Sequence, residues 1–247
     1  MAQDEILVGR NSVMEALKSG RSINKLWIAK GDRQGSLREI GALAKKQGII
    51  MQEVDVNRIK DLAGDMRHQG VLAFVSPVEY QEWEDVLADV TERGEMPLFI
   101  LLDELEDPHN LGAILRTCDA AGAHCVLIPK RRACPLNATV AKTSAGAVEY
   151  VPVAQIGNIS QTIRSLKKAG FWVVGADMDG TENFYDANLT GPLLLVVGSE
   201  GKGMGRLTKE LCDFLVKIPM HGRINSLNAS VACSLLLYEA ERQRSAK

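Results

Sequence analysis

Short apolar runs alternate with amphipathic stretches along most of the chain. Over residues 5–75 the apolar runs 6–8, 25–29, 49–54 and 71–75 predict strands. Helices are predicted at 36–47 and 57–63, and through residue 19 from Asn11, whose side-chain oxygen suits capping of first-turn amides. This is a compact α/β module of a size that folds alone. From residue 98 the alternation resumes. Strands are predicted at 98–102, 125–128, 172–176, 193–197 and 214–218, and their near-continuous apolar character suits a parallel sheet covered on both faces. Helices are predicted at 111–121, 138–144, 159–169 and 227–242, the last with Leu227, Val231, Leu235 and Tyr238 at helical spacing. The stretch 77–97 breaks the pattern. It lies between Pro77 and Pro97, is rich in acids, and reads as a linker with a short helix over 83–93. The expected organisation is therefore an α/β domain over 1–76, an acidic linker over 77–97, and a parallel-sheet α/β domain over 98–247.

Charge refines this picture. The net charge of the 247-residue chain is −2, which by itself argues against a nucleic-acid binder. Its distribution is uneven. Residues 1–76 carry 12 Lys and Arg against 9 Asp and Glu, residues 77–97 carry 1 against 7, and residues 98–247 carry 16 against 15. The acidity is thus concentrated in the central stretch. Lys130, Arg131 and Arg132 form a local basic cluster, which is either a solvated loop or a phosphate contact. No apolar stretch reaches the roughly 18–20 residues that span a bilayer, and the acidic start is unlike a signal peptide, so no membrane association and a cytoplasmic location are expected. The five cysteines form no CxxC pair, and the four histidines no HExxH. Reduced structural thiols and no metal site are expected.

Three segments put glycine, asparagine or proline directly after an apolar run, where open α/β sheets bind ligands. The run GSEGKGMG over 198–205 is not a P-loop, because Gly203 follows Lys202, nor a GxSxG elbow, nor a dinucleotide fingerprint. A flexible turn accounts for some of its glycines. Four within eight residues also leave room for a ligand to approach the backbone, with Glu200 among them. In the second segment, PHNLG over 108–112, Asn110 is expected to cap a helix. Arg116, further along that helix, can reach toward its start and fork onto phosphate, or form an ordinary surface ion pair. In the third, Ser226 is the natural cap of the last helix, which leaves Asn228 without a structural reason. The turn Ser144-Ala145-Gly146-Ala147 has no evident packing role beyond stopping a helix.

In order, the motifs are DxxxxPxNxGxxxR, GSEGxG and IPMxGxxxSLNxSVA. Together they resemble the SpoU (TrmH-like) branch of the SPOUT RNA ribose 2′-O-methyltransferases. Residues 5–76, with His68-Gln69-Gly70-Val71, are similar to that family's L30e-like substrate-binding domain. The whole chain looks closest to the bacterial enzymes that methylate a guanosine in the peptidyl-transferase region of 23S rRNA. The resemblance implies S-adenosyl-L-methionine as cofactor, a deep trefoil knot in the C-terminal domain, and a homodimer acting on 23S rRNA or a ribosomal precursor. It implies catalytic roles for Asn110, Arg116, Glu200, Ser226 and Asn228. Cofactor contacts would come from Gly198, Glu200, Gly201, Ile218, Met220, Leu227 and Asn228, and RNA contacts from Arg10, His68, Lys130, Arg131 and Arg132. His221 departs from the family pattern, in which a small residue often stands there. A tRNA ribose methyltransferase of the same family and a non-catalytic RNA-binding or ribosome-assembly protein are the competing readings. An unrelated dehydrogenase is disfavoured by the missing dinucleotide fingerprint.

Overall fold

The computed structural model describes residues 5–31, 35–76, 78–223 and 226–245. The chain divides into two compact units, Met1–Glu79 with Pro135–Thr139, and Tyr80–Cys134 with Val140–Lys247.

The first unit runs β1 (Glu5–Val8), α1 (Arg10–Ser19), β2 (Ile23–Ala29), α2 (Ser36–Lys46), β3 (Ile50–Val54), α3 (Val56–Ala63) and β4 (Val71–Val75). Its sheet has the order β1-β4-β2-β3. The period of two along each strand sorts side chains to two faces. Leu26 and Ile28 pack with Val13, Leu17 and Ile40 from α1 and α2, while Trp27 and Leu72 pack on the other face with Ile59 of α3. The start of α1 corrects the expected cap. Gly9, at φ 94, is the N-cap, and Asn11 lies exposed within the helix. A Cβ at Gly9 would meet the Arg67 carbonyl oxygen at 3.0 Å, so glycine suits this junction on two counts.

The second unit comprises α4 (Trp83–Glu92), β5 (Leu98–Asp103), α5 (Pro108–Ala120), β6 (Cys125–Pro129), all but the first two residues of α6 (Ala138–Thr143), a 3-10 turn (Ala147–Glu149), β7 (Val153–Ile156), α7 (Ile159–Lys168), β8 (Trp172–Ala176), β9 (Glu182–Asn183), β10 (Leu193–Gly198), α8 (Arg206–Leu211), β11 (Phe214–Lys217) and α9 (Ala229–Ser245). Its sheet has the order β7-β6-β5-β10-β8-β11-β9, and every pairing is parallel. On one face Val86, Val90, Ile163 and Leu166 of α4 and α7 bury Phe99, Leu101, Leu127 and Val173. Ile100 and Leu102 alternate with these along β5 and are also fully buried. Helices α5 and α9 pack together, with α9 against β10.

From Tyr80 onward the stretch expected as a linker is part of this second unit. Trp83, Val86, Leu87 and Val90 recur at helical spacing and join its core. Backbone bonding adds to this, as the Gln81 amide donates to the Val153 carbonyl at 2.9 Å. All five cysteines are free thiols. Burial pushes Cys125, Cys212 and Cys233 up to about 12, consistent with structural roles. Among the described residues, no helix is long and apolar enough to cross a membrane.

Candidate active site

Parallel pairing opens the ends of β5, β10 and β11 on the same edge of the sheet. Gly198, the last residue of β10, is the register partner of Asp103, the last of β5. Asp103 is buried, and its Oδ2 accepts from the Gly205 amide at 2.8 Å. The loop after β10 is thereby tied to the end of β5. It also closes on itself. The Ser199 amide donates to the Gly203 carbonyl at 3.2 Å, and the Gly203 amide donates back at 2.9 Å. Gly201 and Gly203 adopt φ 80 and φ 67, and a Cβ on Gly198 would lie 2.1 Å from the Gly203 carbonyl carbon. Gly198 is thus required where backbone packs on backbone, and Gly201 and Gly203 by their positive φ, while a Cβ on Gly201 would meet nothing within 4 Å.

Two helix starts converge on Glu200 in this loop. Helix α5 is capped by Asp107, whose side chain accepts from the His109 and Asn110 amides at 3.1 and 3.3 Å. Asn110 is therefore not the cap. Pro108 takes the first helical position, which its fixed φ and missing N–H favour, and this sets the cap one residue earlier. The buried Asn110 side chain is left to donate from Nδ2 to Glu200 Oε1 at 3.0 Å. Helix α9 begins at Ala229, two residues later than expected, and Asn228 rather than Ser226 caps it. Asn228 Oδ1 accepts from the Ser230 and Val231 amides at 3.0 and 3.3 Å and from Ser230 Oγ. Its Nδ2 donates to Asn110 Oδ1 at 2.9 Å and to Glu200 Oε1 at 2.5 Å. The Ala229 amide also points at Glu200 Oε1, at 3.3 Å. One carboxylate oxygen therefore receives three donors from two helix starts far apart in sequence. These hydrogen bonds hold the Glu200 carboxylate in place, and the residue remains exposed.

The other anticipated residues are placed more loosely. Ser226 is exposed, and Leu227 is half-buried beside Asn228. Just beyond β11, Ile218 is half-buried, while Met220 and His221 are exposed. Arg116 is exposed on α5, and its side chain makes no hydrogen bond or ion pair among the described residues. A cavity of 260 Å³ is lined by residues of the β5–α5 and β10 loops, including Asp107, Asn110, Ser199, Glu200 and Lys202. Lys130, Arg131 and Arg132 are exposed at the end of β6, and Arg132 pairs with Glu104 at 2.9 Å. In the first unit Arg10 and His68 line a cavity of 500 Å³ with Arg67 and Gln69. Arg10 Nε donates to the Gln69 carbonyl at 3.0 Å, and its Nη1 to Ser36 Oγ at 3.4 Å.

Asp107 was missed as a support of the site, and Asp103, the first position of the motif DxxxxPxNxGxxxR, was given no role. The signal for Asp107 is the pair Asp-Pro before the helix. The signal for Asp103 is an acid closing a wholly apolar strand, though its partner Gly205 is 102 positions away.

Comparison with known proteins places these features in context. The SpoU rRNA Methylase family matches residues 97–238, and the RNA 2′-O ribose methyltransferase substrate binding family matches residues 6–81. A Bacillus subtilis (strain 168) protein assigned to the TrmH family of tRNA/rRNA methyltransferases is 50% identical over 242 residues, covering 98% of this chain and 97% of the relative. The AdoMet-bound rRNA methyltransferase of Sinorhizobium meliloti superposes with a TM-score of 0.61 at 26% identity, covering 96% of this chain and 86% of that one. The A. aeolicus TrmH/SpoU tRNA modifying enzyme superposes with a TM-score of 0.57 at 32% identity, covering 66% of this chain and 84% of that one.

Proposed function

The chain belongs to the SpoU rRNA methylase family and is an S-adenosylmethionine-dependent RNA ribose 2′-O-methyltransferase; from that premise we propose that it methylates a guanosine of 23S rRNA, as a cytoplasmic homodimer. The observation that carries the site assignment is the convergence of Asn110, Asn228 and the Ala229 amide on Glu200. A ribosomal target is supported by the extent of the matches. The rRNA enzyme superposes over 96% of this chain, whereas the tRNA enzyme covers 66%. The first unit then selects the substrate, with Arg10 and His68 meeting RNA and Lys130, Arg131 and Arg132 adding contacts from the second unit.

The residues fit the cofactor. Ile218, Met220 and Leu227 leave apolar surface open on loops at the sheet edge, where an exposed carboxylate, Glu200, complements a cation. Gly198, Gly201 and Asn228 complete this set, and the trefoil knot implied by the resemblance would order these loops. When bound, S-adenosylmethionine supplies a methyl carbon activated by positive sulfur. The chain's own part is to align a ribose 2′-hydroxyl in line with that carbon. Arg116, whose side chain is uncommitted among the described residues, forks onto the phosphate 3′ to the target ribose and lowers the hydroxyl's pKa. It does not act as a base, because guanidinium groups keep their protons in proteins; the hydroxyl proton passes to water as the oxygen–carbon bond forms and the carbon–sulfur bond breaks. Asn110, Glu200, Ser226 and Asn228 fix the geometry around it. The homodimer is supported by Val231, Leu235 and Tyr238, large apolar residues left exposed along α9.

A tRNA target is the second reading, favoured by the likeness of 66% of this chain to the tRNA modifying enzyme. Tritiated methyl transfer to 23S rRNA and to bulk tRNA separates the two. Label in 23S rRNA alone supports the proposal, and label in tRNA alone overturns the target. Arg116→Lys keeps the charge and loses the fork, so near-normal turnover in that variant would contradict the phosphate role.

A further inference from the structure

Gly112 and Arg116 are four residues apart on α5 and share one face of it. A Cβ on Gly112 would fall 1.9 Å from Thr143 Oγ1 and 2.9 Å from the Ser144 amide nitrogen. The glycine thus lets the end of α6 press directly on the helix. From there the chain turns through Ala145 and Gly146, at φ 52 and φ 90. Ser144, fully buried, holds the turn. Its Oγ donates to the Ala141 carbonyl at 3.1 Å and accepts from the Val148 amide at 3.4 Å. The 3-10 turn that follows packs on α5, with Ala147, Val148 and Val151 buried. This anchored segment presents Tyr150, which is 78% exposed, more than any other large hydrophobic residue described. The buried neighbours anchor the segment, while the tyrosine ring adds little to the core.

We infer that Tyr150 is a positioning residue that stacks on an unpaired base of the substrate RNA, beside the face of α5 that carries Arg116. The inference rests on the RNA methyltransferase reading and on Arg116 as the phosphate contact. An aromatic face accepts any base without reading its hydrogen-bonding edge, and unpaired RNA offers such faces. A base held on Tyr150 restricts the nucleotide whose backbone Arg116 engages. The residue therefore acts on RNA binding and leaves the cofactor untouched. It also gives the turn from Ser144 to Ala147 a purpose beyond ending a helix.

The test uses full-length Tyr150→Ala and Tyr150→Phe with whichever of 23S rRNA or tRNA the unsubstituted protein methylates better. In Tyr150→Ala the KM for RNA is expected to rise roughly tenfold, the scale of one lost base–aromatic stack. The kcat at saturating RNA, calorimetric affinity for S-adenosylhomocysteine and mass in solution should hold, and Tyr150→Phe should restore the KM. An unchanged KM in Tyr150→Ala overturns the inference. So does a fall in mass in solution, which makes Tyr150 an interface residue. If the unsubstituted protein methylates neither RNA, the functional reading fails. Filter binding of 23S rRNA then still decides the point: weaker binding by Tyr150→Ala supports stacking, and equal binding overturns it.

Discussion

Asn110 and Asn228 donate to the same oxygen of Glu200, yet the two are held in place by different means. At the start of α5 the capping falls to Asp107, so the Asn110 side chain is free to serve Glu200 and Asn228. At the start of α9 one residue does both. Asn228 Oδ1 caps the helix while its Nδ2 reaches Glu200 and Asn110. Stability and site geometry are separable at the first helix and fused at the second. Comparable chemistry at the two positions therefore has different mutational consequences.

The largest expected effect is that of Asn228→Ala. Loss of the cap should cost about 1 kcal/mol of stability, and misplacement of the site about a hundredfold in turnover. Asn228→Ser retains a capping oxygen without the amide donor, so its melting midpoint should recover while its turnover does not. Recovery of turnover in the transfer assay would remove the Asn228 amide from the site. Asn110→Ala leaves the Asp107 cap in place and puts a better helix former in α5. It should lower turnover about tenfold, the scale of one lost hydrogen bond to a charged group, with little change in the thermal midpoint; a large fall in the midpoint would show that Asn110 is structural. Asp107→Ala is the complementary change. It should cost about 1 kcal/mol in a denaturant titration and leave turnover within about threefold, because Asn110 keeps its bonds to Glu200 and Asn228.

The smallest effect lies outside both helix starts and serves as a control. The His124 Nδ1 accepts from the Leu98 amide at 3.1 Å, and its Nε2 faces Glu95 at 3.0 Å. Burial holds the ring below its ordinary 6.5, a pull stronger than the opposing one from Glu95. The unfolded chain thus takes up this proton at a higher pH than the folded one, and the stability due to the neutral ring is lost as pH falls from about 6.5 toward the lower folded value. Thermal melts across that window should show a smaller acid-side slope in His124→Gln. Equal slopes would mean that the ring titrates alike in both states.

The legible parts of the fold are those where one signal dominates. Strands β5, β6 and β10 are buried on both faces and read as unbroken apolar runs, so their position and parallel pairing were visible. Strand β7 was missed because four residues after a proline, with Gln155 among them, give too short a run. The two-residue β9 is shorter still, and the six residues of α8 span fewer than two helical turns, too few to show a period. In α4 the acids concealed a stripe of Trp83, Val86, Leu87 and Val90 that binds it to the core. The site divides in the same way. Asn110, Glu200 and Asn228 stood out by motif, and the structure joins them through hydrogen bonds. Which asparagine caps which helix did not stand out, because Asp107, Asn110, Ser226 and Asn228 are all good caps and only the true helix start distinguishes them. The tie from Asp103 to Gly205 depends on the register of β5 with β10, which no local pattern encodes.

The central claim is that this constellation delivers a methyl group to a ribose oxygen of ribosomal RNA. Its most direct test is to incubate the full-length protein with methyl-tritiated S-adenosylmethionine and 23S rRNA, digest the RNA to nucleosides and chromatograph the label. Label in 2′-O-methylguanosine is the expected result, abolished by Arg116→Ala. Label on a base-methylated nucleoside, or none in the RNA, would contradict it.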